Sequence, residues 1–126
     1  MAIQVLYLQD LSELVAGTWG ILEPPKARWG ELGREILPES LDFIVTPGVA
    51  FDKSGGRLGN GAGYYDRLLA DTRKNTFLLG IGFDCQFIEQ VCMQDYDIYM
   101  DAVVSESAIY QGKGRLGTRM KQPPDF

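Results

Sequence analysis

The chain contains no histidine, and that absence removes several mechanisms at once. A Ser-His-Asp triad, a Cys-His pair and a histidine general base are all excluded. A Cys/His zinc site is excluded too, because the two cysteines, Cys85 and Cys92, form no CxxC pair. Any catalysis must use carboxylates, Arg, Lys, Tyr, backbone groups or a metal held by oxygen. So low a cysteine content fits free thiols in a reducing compartment. No apolar run approaches a membrane span, and no membrane partner is expected. The N-terminus shows neither a basic region before its apolar residues nor a cleavage-site pattern, so a cytoplasmic protein without signal peptide is expected. An excess of positive charge is missing as well. The formal net charge is −5, whereas a surface devoted to nucleic acid is usually basic, so nucleic acid is not expected as a partner.

What remains suits one globular unit. The 126 residues match a single domain, and 45% hydrophobic content is enough for a core. The charge is uneven: between Ile109 and Phe126, Lys113, Arg115, Arg119 and Lys121 face only Asp125, a net of +3. We therefore expect an α/β domain over 1–108 and a basic, solvated C-terminal tail over 109–126.

Strand and helix patterns alternate along the chain. Ile3 to Leu8 reads as a short strand. Asp10 and Glu13 have capping-box spacing, which predicts a helix through LSELVA that stops at Gly17. Glu23-Pro24-Pro25 is extended or turned. A helix is predicted from Trp29 to Leu37, ended by Pro38. Leu41 to Thr46 and Thr76 to Phe83 read as buried parallel strands. Tyr64 to Asp71 reads as a helix, Gln86 to Cys92 as helical, and Ala102 to Ser105 as a third short strand. The expected fold class is α/β, a layered α/β/α arrangement with a mostly parallel sheet.

The loop between the second strand and the Tyr64 helix carries the chemistry. It places five glycines within nine residues, from Gly55 to Gly63. Glycine lets another group approach the backbone closely, and peptide N–H groups in such a loop can converge on an anion. The following helix adds its own N–H groups and dipole. Arg57 offers a bidentate phosphate contact. Asp66, in the first helical turn, is placed to meet a metal bound to the same phosphates, since Mg²⁺ takes one or two carboxylates plus phosphate oxygens. The spacing is neither GxxxxGK[ST] nor GxGxxG. On pattern alone the loop is an anion or nucleotide site, or else a tight turn whose glycines serve packing.

The string PGVAFDKSGGRLGNGAGYYDRLL resembles the signature of the 5-formyltetrahydrofolate cyclo-ligase (methenyltetrahydrofolate synthetase) family. There a Pro-Gly pair and a Phe-Asp pair precede an arginine, a glycine-rich run and Tyr-Tyr-Asp. GILEPP, LDFIVTPGVAFD, LLGIGFDCQFIE and DYDIYMDAVVSE resemble further family segments in the same order, so the likeness covers most of Val15 to Glu106. It implies an ATP- and Mg²⁺-dependent enzyme of one-carbon folate metabolism, with ATP and a reduced folate as partners. The family reaction turns 5-formyltetrahydrofolate and ATP into 5,10-methenyltetrahydrofolate, ADP and phosphate.

Carried over by position, the resemblance implies that Arg57, Leu58, Gly59, Asn60, Gly61, Ala62, Gly63, Tyr64 and Tyr65 line the ATP phosphates. Asn60, Gly61, Ala62, Gly63 and Tyr64 would also face the folate, with Glu23 at the substrate pocket. Arg57 and Tyr64 would be catalytic, and Asp66 and Asp97 would hold the metal. From the residues alone, Glu23 reads equally as a turn residue, and Asp95, Asp97 and Asp101 as solvated acids. One of the two adjacent tyrosines is expected to pack inward and the other to meet ligand.

The sequence also departs from the family pattern. No Lys-x-x-x-Arg element precedes the matched region, Ala62 stands where members often have Gly or Lys, and Tyr96 where bacterial members often have His. The cationic clamp on the γ-phosphate is thus expected to be weaker. A non-catalytic relative that keeps the fold as a binding or assembly module is the competing reading. A thin sheet beginning at Ile3 to Leu8 should expose an edge. A second copy or another chain is expected to cover it, which sedimentation at micromolar concentration would register as a dimer or complex. A clean monomer would contradict this.

Overall fold

The computed structural model describes residues 5, 8, 11–17, 20–23, 36–61, 63–95 and 97–115. In chain order the strands are β1 (Val15–Ala16), β2 (Leu22–Glu23), β3 (Phe43–Thr46), β4 (Ala50–Phe51) and β5 (Arg57–Leu58), followed by helix α1 (Tyr64–Ala70). Then come β6 (Phe77–Ile81), β7 (Ala102–Val104) and β8 (Ile109–Gln111). The central sheet has the order β3-β6-β7-β8. β3 runs parallel to β6 with Phe43 opposite Phe77, and β6 parallel to β7 with Leu79 opposite Ala102. Among the described strands of this sheet, β8 alone is antiparallel, with Ile109 opposite Val104. The expected fold class, mixed α/β with a mostly parallel sheet, is what the chain forms.

One face of this sheet makes the core. Ile44, Leu78 and Val103 alternate inward and pack with Phe51, Leu69 and Met100. Leu69 belongs to α1, so the helix covers this face. The opposite face carries Val45 and Ile81, both about half exposed at 50% and 49%. The strand read over Ile3 to Leu8 and the helix read over Trp29 to Leu37 lie almost wholly outside the described residues, as does any second layer they would form.

Two segments expected as helices have other structures. LSELVA makes a single 3-10 turn at Leu11–Glu13 and then pairs as β1 with β2, Val15 opposite Glu23. β-branched Val15 suits a strand, and the hairpin closes through Gly17 N donating to Ile21 O at 2.7 Å, with Gly20 at φ 74°. Gln86 to Cys92 forms no helix beyond the 3-10 turn at Asp84–Gln86; Phe87 is extended and bridges Phe51, and the rest is irregular. Its backbone has tertiary partners instead: Ile88 N donates to Phe51 O at 2.9 Å and Val91 N to Asp52 Oδ2 at 2.9 Å. Those bonds outweigh a modest helix propensity.

The segment expected as a tail begins inside the sheet, because Ile109–Gln111 is β8. Beyond it, Arg115 reaches back to the end of α1. Its Nη1 donates to Leu69 O at 3.0 Å and to Thr72 Oγ1 at 2.9 Å, and Nη2 donates to Arg73 O. A guanidinium thus adds a charged donor to carbonyls at the helix end that also accept from Thr72 and Thr76. Burial lowers the Arg115 pKa, and the charge of Asp101 opposes that shift.

The β4–β5 hairpin docks on the sheet through two close approaches. The fully buried Phe51 ring lies where Cβ atoms at Gly80 and Gly82 would stand. At the hairpin tip, Gly55 O accepts from Met100 N at 2.8 Å and Ser54 O from Lys113 N at 2.8 Å. A Cβ at Gly112 would strike Met100 O, a backbone atom that cannot swing aside. Gly112→Ala should therefore lose stability at the upper end of the ~1–3 kcal/mol typical of overpacking. Gly20→Ala, at φ 74° in open space, should lose only about 1 kcal/mol from backbone conformation. Urea unfolding of both variants checks this; equal losses would refute the junction.

Candidate functional site

β3 ends at Thr46, and Pro47-Gly48-Val49 turns the chain out at the carboxyl end of the sheet. The β4–β5 hairpin and the 58–63 loop fold over this end, and Gly63 admits α1 by taking φ 72° at its N-cap. Between them opens a cleft of about 470 Å³. Pro47, Gly48, Val49, Arg57, Leu58, Gly59, Asn60, Gly61, Gly63, Tyr64, Tyr65, Asp66, Cys92 and Asp97 line it. Ligands of open α/β sheets bind beyond the carboxyl ends of the strands, and this cleft has that position.

Arg57 is the organising cation. It is 7% exposed, and Nε donates to Pro47 O at 2.8 Å while Nη1 donates to Asp66 Oδ1 at 3.3 Å. The guanidinium also stands over the Tyr65 ring, 5.3 Å from its centroid. Burial pulls the Arg57 pKa below its ordinary value; Asp66, Tyr65 and Asp97 oppose that shift. Asp97 therefore shares the field of Arg57, although it comes from a segment forty residues further along. Arginine nonetheless stays charged in proteins, so the cleft holds one fixed cation between two carboxylates. A Cβ on Gly59 would lie 3.2 Å from Arg57 Nη2, so that glycine leaves the guanidinium edge clear.

Asp97 is set by a tight reciprocal turn: its N–H donates to Gln94 O at 3.0 Å, and Gln94 N donates to its Oδ2 at 2.8 Å. Among the described residues no group of three or more His, Cys, Asp or Glu forms a metal cage. The two carboxylates that line the cleft, Asp66 and Asp97, are the residues that could hold a Mg²⁺ ion, which needs only one or two carboxylates from a protein.

The structure thus brings together the expected positions Arg57 to Gly61, Gly63 to Asp66, and Asp97; Ala62 and Tyr96 lie outside the described residues. Glu23 stands apart. It is in β2, its side chain packs over Gly17, and it does not line the cleft. The β1–β2 pairing turns it back on its own hairpin. Both tyrosines line the cleft, so neither packs into the core; Tyr64 stacks under Arg67 at 5.3 Å. Sequence reasoning missed the Pro47–Val49 wall and Cys92. The Pro-Gly turn directly after a buried strand was the available signal for the first.

A sequence model of the 5-formyltetrahydrofolate cyclo-ligase family matches residues 1–106. The chain belongs to this family. It is 42% identical over 80 residues to the 5-formyltetrahydrofolate cyclo-ligase of Escherichia coli, covering 62% of this chain and 44% of that protein. The mitochondrial cyclo-ligase of Arabidopsis thaliana is 31% identical over 119 residues, 84% of this chain and 43% of the relative. Among solved structures, 5,10-methenyltetrahydrofolate synthetase from Aquifex aeolicus superposes with a TM-score of 0.69 at 36% identity, over 90% of this chain and 55% of that one. The chain spans about half the length of the relatives it matches.

Arg57 makes two directed bonds that one ammonium group cannot reproduce together. Arg57→Lys is therefore expected to lower unfolding stability by about 1–3 kcal/mol. Urea denaturation measures this; an unchanged midpoint would show that the Pro47 and Asp66 contacts contribute nothing.

Proposed function

We propose that this cyclo-ligase-family chain converts 5-formyltetrahydrofolate and ATP to 5,10-methenyltetrahydrofolate, ADP and phosphate. The observation that carries the reading is the convergence of Arg57, the 58–61 loop, Asp66 and Asp97 on one cleft. The family model spans residues 1–106, which include these positions, and relatives named for this activity match the chain, which supports the catalytic reading over a binding module.

The chemistry fits the residues present. The formyl oxygen bonds to the γ-phosphorus as the bond to the bridging oxygen breaks and ADP leaves. N10 then bonds to the activated carbon, the carbon–oxygen bond breaks, and phosphate departs while N10 releases its proton. Such a sequence needs alignment and charge stabilisation more than a strong base. In this reading Arg57 directs its Nη2 edge at phosphate, because Nε is committed to Pro47 O. Leu58 to Gly61 and Gly63 follow the phosphates with their backbone, and Asn60, Gly61 and Tyr64 face the formyl end. Asp66 and Asp97 hold Mg²⁺, which when bound neutralises phosphate charge.

The partners of this reading are ATP, a reduced folate and, at the sheet edge, a second copy or another chain. We place the protein in the cytoplasm: both cysteines are free and exposed, as a reducing compartment keeps them. Among the described residues no helix is long and apolar enough to cross a membrane.

The decisive assay is the ATP-dependent appearance of methenyltetrahydrofolate absorbance from 5-formyltetrahydrofolate with Mg²⁺. Turnover is expected, with Asp66→Asn reducing it by about 10²-fold or more, the scale of losing one charge-stabilising group. A folded chain that never turns over would refute catalysis by this polypeptide.

A further inference from the structure

Asp52 lines no part of the cleft, yet its carboxylate joins the two walls. It is 4% exposed and sits at the end of β4. Oδ1 accepts from Ser54 N at 2.9 Å and from Gly56 N at 2.8 Å, bonds that close the turn leading to Arg57. Oδ2 accepts from Val91 N at 2.9 Å, in the segment that next supplies Cys92 and then Asp97. Val91 is itself buried, at 3% exposure. Phe51 O, one residue earlier, holds Ile88 N of the same segment at 2.9 Å. A Cβ on Gly56 would collide with Asp52 Oδ2, so this glycine exists to let the carboxylate in.

We infer that Asp52 is a positioning residue: it fixes the separation between the Arg57 wall and the Asp97 wall, and so tunes the metal end of the cleft. The inference rests on the phosphate and metal reading given above. It predicts a selective defect, because the two oxygens serve different walls.

Asp52→Asn keeps the shape. Its amide oxygen can still accept from Ser54 and Gly56, while its NH₂ group then faces the Val91 N–H, donor against donor. The hairpin should survive and the tie to the second wall should not. Three quantities are read on the full chain. Amide hydrogen exchange at Val91 should accelerate about tenfold or more, as expected for losing a bond to a charged acceptor, with Ser54 and Gly56 little changed. The Mg²⁺ concentration that half-supports ATP binding should rise about tenfold, the low end for outer-shell partners of a metal site. ATP affinity in EDTA should be nearly unchanged, a split that general loss of stability would not produce.

Faster exchange at Val91 without a shift in Mg²⁺ dependence would overturn the inference, as would unchanged exchange. If Asp52→Asn does not fold, Asp52→Ser replaces it, since a serine hydroxyl can close the same local turn without reaching Val91. Failure of both to fold would also overturn it, because Asp52 would then be holding the fold and not the cleft. Absence of Mg²⁺·ATP binding by the unsubstituted chain would sink the phosphate reading itself; exchange at Val91 would still decide whether Asp52 joins the walls.

Discussion

A carboxylate withdrawn from water must find donors to replace its hydration, or it destabilises the fold by several kcal/mol. Asp52 meets that requirement with three peptide N–H groups drawn from two stretches of chain. Much of the site's geometry follows from that demand. The turn after β4 must bend tightly enough to aim two amides at one oxygen. The segment after β6 must stay out of a helix, so that Val91 can offer its amide to the other. Arg57 then emerges from β5 at a fixed height, with Pro47 O and Asp66 waiting for its guanidinium.

This constraint divides the glycine-rich loop into parts with different work. Gly55, at φ 93°, lets the hairpin tip meet the Met100 backbone, and Gly56 admits the Asp52 carboxylate. Gly59 clears the Arg57 side chain. Gly61 has φ 94° and nothing within 4 Å of an added Cβ. The first glycines are therefore structural, and the later ones border open space in the cleft. A packing turn and an anion cradle were rival readings of one string: its first glycines pack, and its later ones line the cleft in which we propose that phosphate binds.

The parts of the fold most legible in the sequence were those where periodicity and burial agree. FIVT and FLLGI are continuous apolar runs, and they form the parallel pair β3–β6. YYDRLLA follows a glycine that can take positive φ, and it is α1. Local pattern failed where tertiary hydrogen bonds decide. LSELVA has good capping spacing, but its strand pairing with β2 is invisible to a window that ends at Gly17. Gln86 to Cys92 reads as helical until one knows that Phe51 and Asp52, some forty residues earlier, hold its amides. The β4–β5 hairpin and β8 are strands of two and three residues, too short for any alternation to show. Within the site, Arg57 and Asp66 were legible because they flank the loop. Asp97 was legible only through family resemblance, since nothing near it in sequence distinguishes it from Asp95 or Asp101. Glu23 differs from both: its neighbours resemble a family segment, while its side chain is folded back over Gly17.

The missing histidine agrees with the phosphoryl-transfer site proposed above. A proton-transfer enzyme at neutral pH benefits from a group titrating near 7, and the chain has no histidine to be that group. The cleft instead concentrates charge: a buried guanidinium that cannot be neutralised, the Asp66 carboxylate paired with it, and the Asp97 carboxylate held by the Gln94 N–H. Fixed dipoles and charges of this kind need not reorganise when charge develops on a transferring phosphoryl group, which is where such sites act most strongly. The order of preference is set by burial. Arg57 is desolvated, so its positive charge seeks partners; Asp66 and Asp97 supply them at rest. In the proposed reading, a polyphosphate entering with its own cation would offer a competing set of oxygens to Arg57 and a competing set of ligands to both acids. The resting Arg57–Asp66 contact at 3.3 Å is long for a charged pair, so an exchange of partners there requires the loss of only a weak bond.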